Sequence, residues 1–237
     1  MPKPIKLLDN ANQIITLLSE IGSARHSAIA SEIEVPRATV YRLVDGLAAV
    51  GMVRVEPATG LVRLSERWLG LSDMAQQSFS EWHRIIELLP TITGQTKQTA
   101  FLSIPTSHGA ACIAWSQASS LVVLSLRPGR QLPFNVGAAG RLLFALSAAP
   151  DATGCSFQAF TDRSITSQQS LLEDADYIRR EGWVLSDQDV NVGISAVGVP
   201  VYSEGLRDIG CLSIAGLSQD LNEHASDFAR ILMDLVD

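Results

Sequence analysis

The sequence predicts an α+β protein: a winged helix-turn-helix over residues 1–65, a linker helix over 66–90, and a C-terminal α/β domain over 91–237. Three observations predict it. Apolar residues recur at helical spacing in three segments before residue 51, and two short strands around a turn follow them. A long helical run comes next. Beyond it, strand-like segments are interrupted and followed by helical ones, the pattern of a largely antiparallel sheet that carries helices.

Ile5, Leu8, Ile15 and Leu18 place a first helix over Ile5–Glu20, with Ile21-Gly22 as its stop. Ile29, Ala30 and Ile33 share one face of a second, over Ser27–Ile33. Glu34-Val35-Pro36 reads as a tight turn, with Pro36 suited to a first helical position. The third helix, Arg37 to Val50, buries Val40, Leu43, Val44 and Leu47, and Gly51 supplies a left-handed cap. Met52–Glu56 and Leu61–Leu64 then flank Pro57-Ala58-Thr59-Gly60 as a β-hairpin wing.

Residues 66–93 read as one helix, ended by Pro90 and Gly94. Its large apolar residues suit a dimer contact and packing on the following domain equally. Strands are predicted at Thr99–Ile104, Ala110–Ser116, Leu121–Leu126, Ala196–Tyr202 and Gly210–Ala215. Helices are predicted at Ala138–Ser147, Ser167–Glu181 and Asn222–Leu235.

With 46% hydrophobic and 18% charged residues, the chain buries a sizeable core rather than remaining disordered. Cys112, Cys155 and Cys211 are scattered and odd in number, which argues against a disulfide framework or structural zinc and fits a reducing cytoplasm. Asp9, Asn10 and Asn12 interrupt any secretory signal, and no stretch approaches the roughly 18 apolar residues of a membrane span. The reading is therefore cytoplasmic, with no membrane partner. The net charge of −7 is uneven: residues 1–65 hold seven basic against six acidic residues, and 66–237 hold eleven against nineteen. Phosphate attraction is local, within a Debye length of about 10 Å, so the acidic body does not veto DNA binding by the head.

In a helix-turn-helix the second helix enters the major groove. Here Arg37, Ala38, Thr39, Tyr41 and Arg42 face outward, while Arg54 and Arg63 lie on the wing. Each alone is an ordinary surface residue; turn, basic helix and wing in order point to duplex DNA. No catalytic residue, metal ligand or cofactor is assigned. His26, His83, His108 and His224 lack zinc spacing, and no G-x-S-x-G elbow occurs. Cys155 is a loop thiol with no evident base, Cys112 and Cys211 read as core, and Asp187 and Asp189, a pair that could bind a cation, read rather as solvated loop carboxylates. The competing readings are a sensor module without DNA binding, and a hydrolase.

Residues 30–44 (ASEIEVPRATVYRLV), with Gly51-Met52-Val53, Gly60, Arg63-Leu64 and Leu69-Gly70, resemble the helix-turn-helix of the IclR family of transcription regulators. Leu132-Pro133-Phe134-Asn135, Gly137–Arg141, Phe160-Thr161, Ile178–Trp183 and Gly193–Pro200 resemble its effector domain in order and spacing. The resemblance implies a GAF-like effector domain, dimers or tetramers on a palindromic operator, and a regulator, with a lean to repressor, whose DNA affinity answers to a small carboxylate.

The same resemblance places the effector against Gly137, Ala138 and Ala139, where first-turn N–H groups can hold an anion, and against Ser186, Asp187, Ser195, Ala196, Ser213 and Ala215. Ser186 stands where the glyoxylate- and pyruvate-responsive members have an acid, Ala196 where they have cysteine, and Ala215 where they have serine. Those losses imply a roomier, more apolar pocket for an aromatic or longer aliphatic acid. The competing reading of Gly137-Ala138-Ala139-Gly140 is a close-packing turn without ligand.

Overall fold

The computed structural model describes residues 5–118, 126–147, 152–205 and 208–236, so all of the expected strand Leu121–Leu126 except Leu126 lies outside the described residues. The chain divides into two compact units, Met1–Ser78 and Phe79–Asp237.

In the first unit, α1 (Lys6–Ile21) buries Ile14 and Leu18, and ends where Gly22, at φ +79°, returns its N–H to Leu18. A short strand β1 (Ser23–Arg25) leads into α2 (His26–Glu32). The turn to α3 (Arg37–Ala49) passes through Glu34 at φ +52°, a left-handed conformation a side chain rarely adopts, and Pro36 caps α3 from just outside it. Ile29, Val40 and Val44 are fully buried between these helices; each burial contributes roughly 2 kcal/mol. The wing consists of β2 (Val53–Val55) and β3 (Leu61–Leu64), and the sheet order is β1-β3-β2, antiparallel throughout. Ala24 on β1 pairs with Val62 on β3, both buried.

The expected continuous linker helix is divided. Helix α4 (Arg67–Gln77) has no buried residue and is anchored at its start, where the Trp68 indole N–H donates to Met52 O at 2.7 Å. A 3-10 turn at Ser80–Trp82 follows, and then α5 (His83–Thr96). The polar Gln76-Gln77-Ser78 carries no apolar stripe across the break, and Trp82 turns inward over Gly210, where any Cβ would come within 2.6 Å of the ring. Pro90 and Gly94 do not end α5. Pro90 forfeits one helical hydrogen bond, but buried Leu89 and Ile92 hold the turn in place.

The second unit is a six-stranded antiparallel sheet of order β6-β5-β4-β9-β8-β7. Its strands are β4 (Thr99–Thr106), β5 (Gly109–Ser116), β6 (Gln131–Pro133), β7 (Val184–Asp187), β8 (Ile194–Tyr202) and β9 (Ile209–Leu217). One face packs Leu102, Val197, Val199 and Leu212 against α5, α8 (Ser218–Glu223) and α9 (Ala225–Val236). The helix expected over Asn222–Leu235 is thus two, parted at His224. The other face carries α6 (Gly137–Ala145) and α7 (Gln168–Glu181), packed through Leu142, Phe144, Leu171 and Ile178. Ser167 caps α7 by accepting the Ser170 N–H, and Gly182, at φ +76°, closes it.

Candidate nucleic-acid interface and internal cavity

In the first unit, the inward positions Val40, Leu43 and Val44 fix the roll of α3 and leave Arg37, Ala38, Tyr41 and Arg42 exposed and Thr39 half-buried. Neither Arg37 nor Arg42 has an ion-pair partner among the described residues. Tyr41 is less free: its ring stacks on His26 at 4.2 Å between centroids and 10° between planes. Arg54 and Arg63 pair across β2 and β3, so both project from one face of the wing. Each also faces an acid, Arg54 at 3.7 Å from Glu66 and Arg63 at 3.6 Å from Glu56. Exposed pairs of this kind hold weakly, well within what a phosphate can displace.

In the second unit, a cavity of about 60 Å³ lies between the start of α6 and the sheet. Gly137, Ala138, Ala139, Ser186, Ser195, Ala196, Ser213 and Ala215 line it; Asp187 does not. Strand alternation explains the split. Ser186, Ala196 and Ala215 are register partners on one face of β7, β8 and β9. Asp187 and Ser195, one residue along on β7 and β8, point to the opposite face. There Asp187 accepts from Ser195 Oγ at 3.1 Å and Asn222 Nδ2 at 2.7 Å, and pairs with Arg163. Ser195 therefore contributes backbone to the cavity, not its hydroxyl. Partial burial pushes the Asp187 carboxyl up, but hydrogen bonds from Asn222, Gln188 and Ser195 and the Arg163 charge overcome it and hold it below the usual carboxylate range.

The lining of the cavity is mostly apolar. Phe101, Leu126, Leu132, Val190 and Ile194, none of them assigned to the effector site by the sequence, line it beside Ala196 and Ala215. Gly137 has φ +72°, and a Cβ there would sit 2.8 Å from Leu132; one at Gly140 would sit 2.4 Å from Pro133 O. The Gly137–Gly140 segment is thus a close-packing turn and a cavity wall at once.

Asp189 is not solvated but buried behind the cavity. Its Oδ1 accepts the Gly137 N–H at 3.2 Å and the Ser186 hydroxyl, and its Oδ2 accepts Arg141 Nη1 at 3.1 Å. Arg141 also grips Asp174, Nε to Oδ2 at 2.8 Å and Nη2 to Oδ1 at 2.5 Å. Burial pulls the Arg141 guanidinium down, but Asp174 and Asp189 outweigh it and hold it above its ordinary value. The sequence signal for this cluster is Arg141 itself, whose neighbours Gly140 and Leu142 are buried and which therefore requires carboxylate partners.

Two of the three thiols are buried packing groups. Cys112 and Cys211 are buried, and Cys155 is half-buried against the α6–α7 core. Burial pushes Cys112 up to about 12 and Cys211 above the ordinary thiol range. His83 pairs with Glu87 at 3.2 Å and His224 packs edge-on against Phe228, so neither adjoins a nucleophile. Among the described residues no cluster of three His, Cys, Asp or Glu side chains is placed to hold a metal ion. No helix among them is long and apolar enough to cross a membrane.

Comparisons with known proteins agree with this architecture. A family profile described as "Bacterial transcriptional regulator IclR C-terminal" matches residues 82–237, and one described as "Sugar-specific transcriptional regulator TrmB" matches residues 12–64. The chain is 22% identical to the Escherichia coli HTH-type transcriptional regulator XynR over 92% of its length and 89% of that protein's. It is also 22% identical to the E. coli transcriptional repressor IclR, over 90% and 80% of the two lengths. The fold resembles the Thermotoga maritima IclR crystal structure at a TM-score of 0.74 and 17% identity, covering 97% of this chain and 95% of that one. An IclR homologue from Microbacterium hydrocarbonoxydans complexed with 4-hydroxybenzoate matches at 0.75 and 17%, with the same coverage. With a winged head, an antiparallel effector-type domain and a family match over most of its length, the chain belongs to the IclR family of bacterial transcriptional regulators.

Proposed function

We propose that this regulator grips a palindromic operator through Arg37 to Arg42, as a homodimer or homotetramer, and releases it when a small organic acid enters the α6 cavity. The observation that carries the DNA half is the pair Arg37 and Arg42, exposed and without an ion-pair partner among the described residues, on a helix whose opposite face is locked into the core. Arg54 and Arg63 add wing contacts to the backbone. Repression is favoured because relatives of similar length carry the names transcriptional repressor IclR and acetate operon repressor. In this reading the cavity acts as a sensor.

The acid half rests on the first turn of α6. The N–H groups of Ala138 and Ala139 have no acceptor within the helix and lie in the cavity wall, where a carboxylate accepts from them. At about 60 Å³ the cavity is well below the roughly 150 Å³ that admits benzene, so a short acid is favoured over the aromatic acid of the Microbacterium homologue. A gel shift of the full chain on the region upstream of its own gene tests the reading. Salt-sensitive binding that organic acids weaken supports it; no salt-sensitive binding to that region overturns it.

A further inference from the structure

The polar wall of the cavity has a fixed hydrogen-bonding sense. Asp189 is an acceptor on all sides: it takes an N–H from Gly137, an N–H from Arg141 and the hydroxyl proton of Ser186. A serine has one proton to give. With that proton committed to a buried carboxylate, Ser186 Oγ presents only lone pairs to the cavity. A ligand group beside it must donate.

The position of that donor is also fixed. Gly137 N and Ser186 Oγ share a single oxygen, Asp189 Oδ1, so they lie within two hydrogen-bond lengths of one another. The first-turn amides next to Gly137 and the lone pairs of Ser186 therefore address neighbouring atoms of a small ligand. An ammonium is a poor donor here. Asp189 is already offset by Arg141, and the rest of the wall, apolar at Phe101, Leu132, Val190 and Ile194 and neutral at Asn191 and Ser213, holds no second carboxylate to offset a full charge stripped of water. A ketone beside Ser186 is disfavoured for the opposite reason, because its oxygen would face the Ser186 lone pairs.

We infer that the cavity selects a 2-hydroxy acid, with its carboxylate on the α6 first turn and its hydroxyl proton donated to Ser186 Oγ. The acid part of this inference rests on the reading given under Proposed function; the hydroxyl part rests on Ser186 and Asp189 alone. Asp189 is a positioning residue, acting on the ligand only through Ser186.

The test is calorimetric titration of the full-length protein with lactate, pyruvate, propionate, alanine and propane-1,2-diol, together with 2-hydroxybutyrate and butyrate. Lactate and 2-hydroxybutyrate are expected to bind about tenfold or more tighter than propionate and butyrate, the value of one well-placed buried hydrogen bond. Pyruvate and alanine are expected to fall with propionate. Ser186→Ala is expected to bring the lactate-to-propionate ratio close to one; should that variant misfold, the wild-type ratios decide alone. Equal binding of lactate and propionate, or tighter binding of pyruvate or alanine, overturns the hydroxyl assignment and leaves the organic-acid reading standing. Binding of the diol as tight as that of lactate overturns the organic-acid reading instead, and with it the acid half of this inference. No binding by any of the series overturns both.

Discussion

Arg141 holds Asp174 in a two-pronged grip, Nε to Oδ2 at 2.8 Å and Nη2 to Oδ1 at 2.5 Å, and this pair ties α6 to α7 from within. Its remaining nitrogen reaches Asp189 at 3.1 Å and Leu185 O at 3.0 Å, so one guanidinium joins two helices, a strand and the cavity loop. Replacing it strands two carboxylates away from water. Arg141→Met is expected to cost about 3–5 kcal/mol in urea denaturation, the penalty for breaking a buried ion pair from one side. A loss below about 1 kcal/mol would show that the cluster is hydrated and not structural.

On the DNA face, Arg37→Ala and Arg42→Ala are each expected to weaken operator binding and to lower the slope of log affinity against log salt by about one. The effector affinity of both variants should stay at the wild-type value, since neither residue belongs to the cavity. Titrating operator affinity at several salt concentrations, with calorimetry for the effector, measures both. An unaltered slope in both variants would remove α3 from the DNA contact.

Glu34 gives a stability prediction of opposite sign. Its φ of +52° is a conformation that glycine adopts without steric cost, and its side chain is exposed. Glu34→Gly is expected to raise stability by about 0.5–1 kcal/mol, the relief of strain less the greater freedom of glycine in the unfolded chain. Thermal denaturation checks this; a lowered midpoint counts against a left-handed turn between α2 and α3.

Asp187 gives the pH dependence. Its carboxyl sits below the ordinary range in the folded protein, so the unfolded chain takes up its proton first as pH falls. The stabilisation is complete above about pH 4, the unfolded value, and is lost as pH drops through the lower folded value. Asp187→Asn should flatten that part of the stability curve and leave the rest unchanged. An identical acid limb in the variant would assign the loss to other carboxylates.

Alkylation separates the thiols. Iodoacetamide at neutral pH is expected to label half-buried Cys155 first, and Cys112 and Cys211 only in denaturant, because burial leaves both fully protonated. Mass spectrometry of digests reads the order. Early labelling of Cys211 would mean that the sheet beneath α6 opens locally.

The helix-turn-helix was legible because Ile29, Val40, Leu43 and Val44 follow helical spacing and residues of known turn chemistry separate them. Strand β1 was not, since Ser-Ala-Arg is too short to alternate; only its pairing with β3 makes it a strand. The linker misled for a related reason: apolar residues on both sides of Ser78 read as one stripe, although those before it stay largely exposed and Trp82 turns into the second unit. At the cavity, sequence position identified the right strands but not which way successive residues point, so Asp187 and Ser195 were grouped with Ser186 and Ala196. Asp189 reads as solvated in the sequence because a loop acid is ordinarily hydrated, and its burial depends on an arginine 48 positions away.

The pleat of β7 has one further effect. Ser186 looks into the cavity, and the very next residue, Asp187, takes a hydrogen bond from Asn222 on α8 at the far side of the sheet. The cavity and α8 are therefore only one residue apart along β7, on opposite faces of a single sheet.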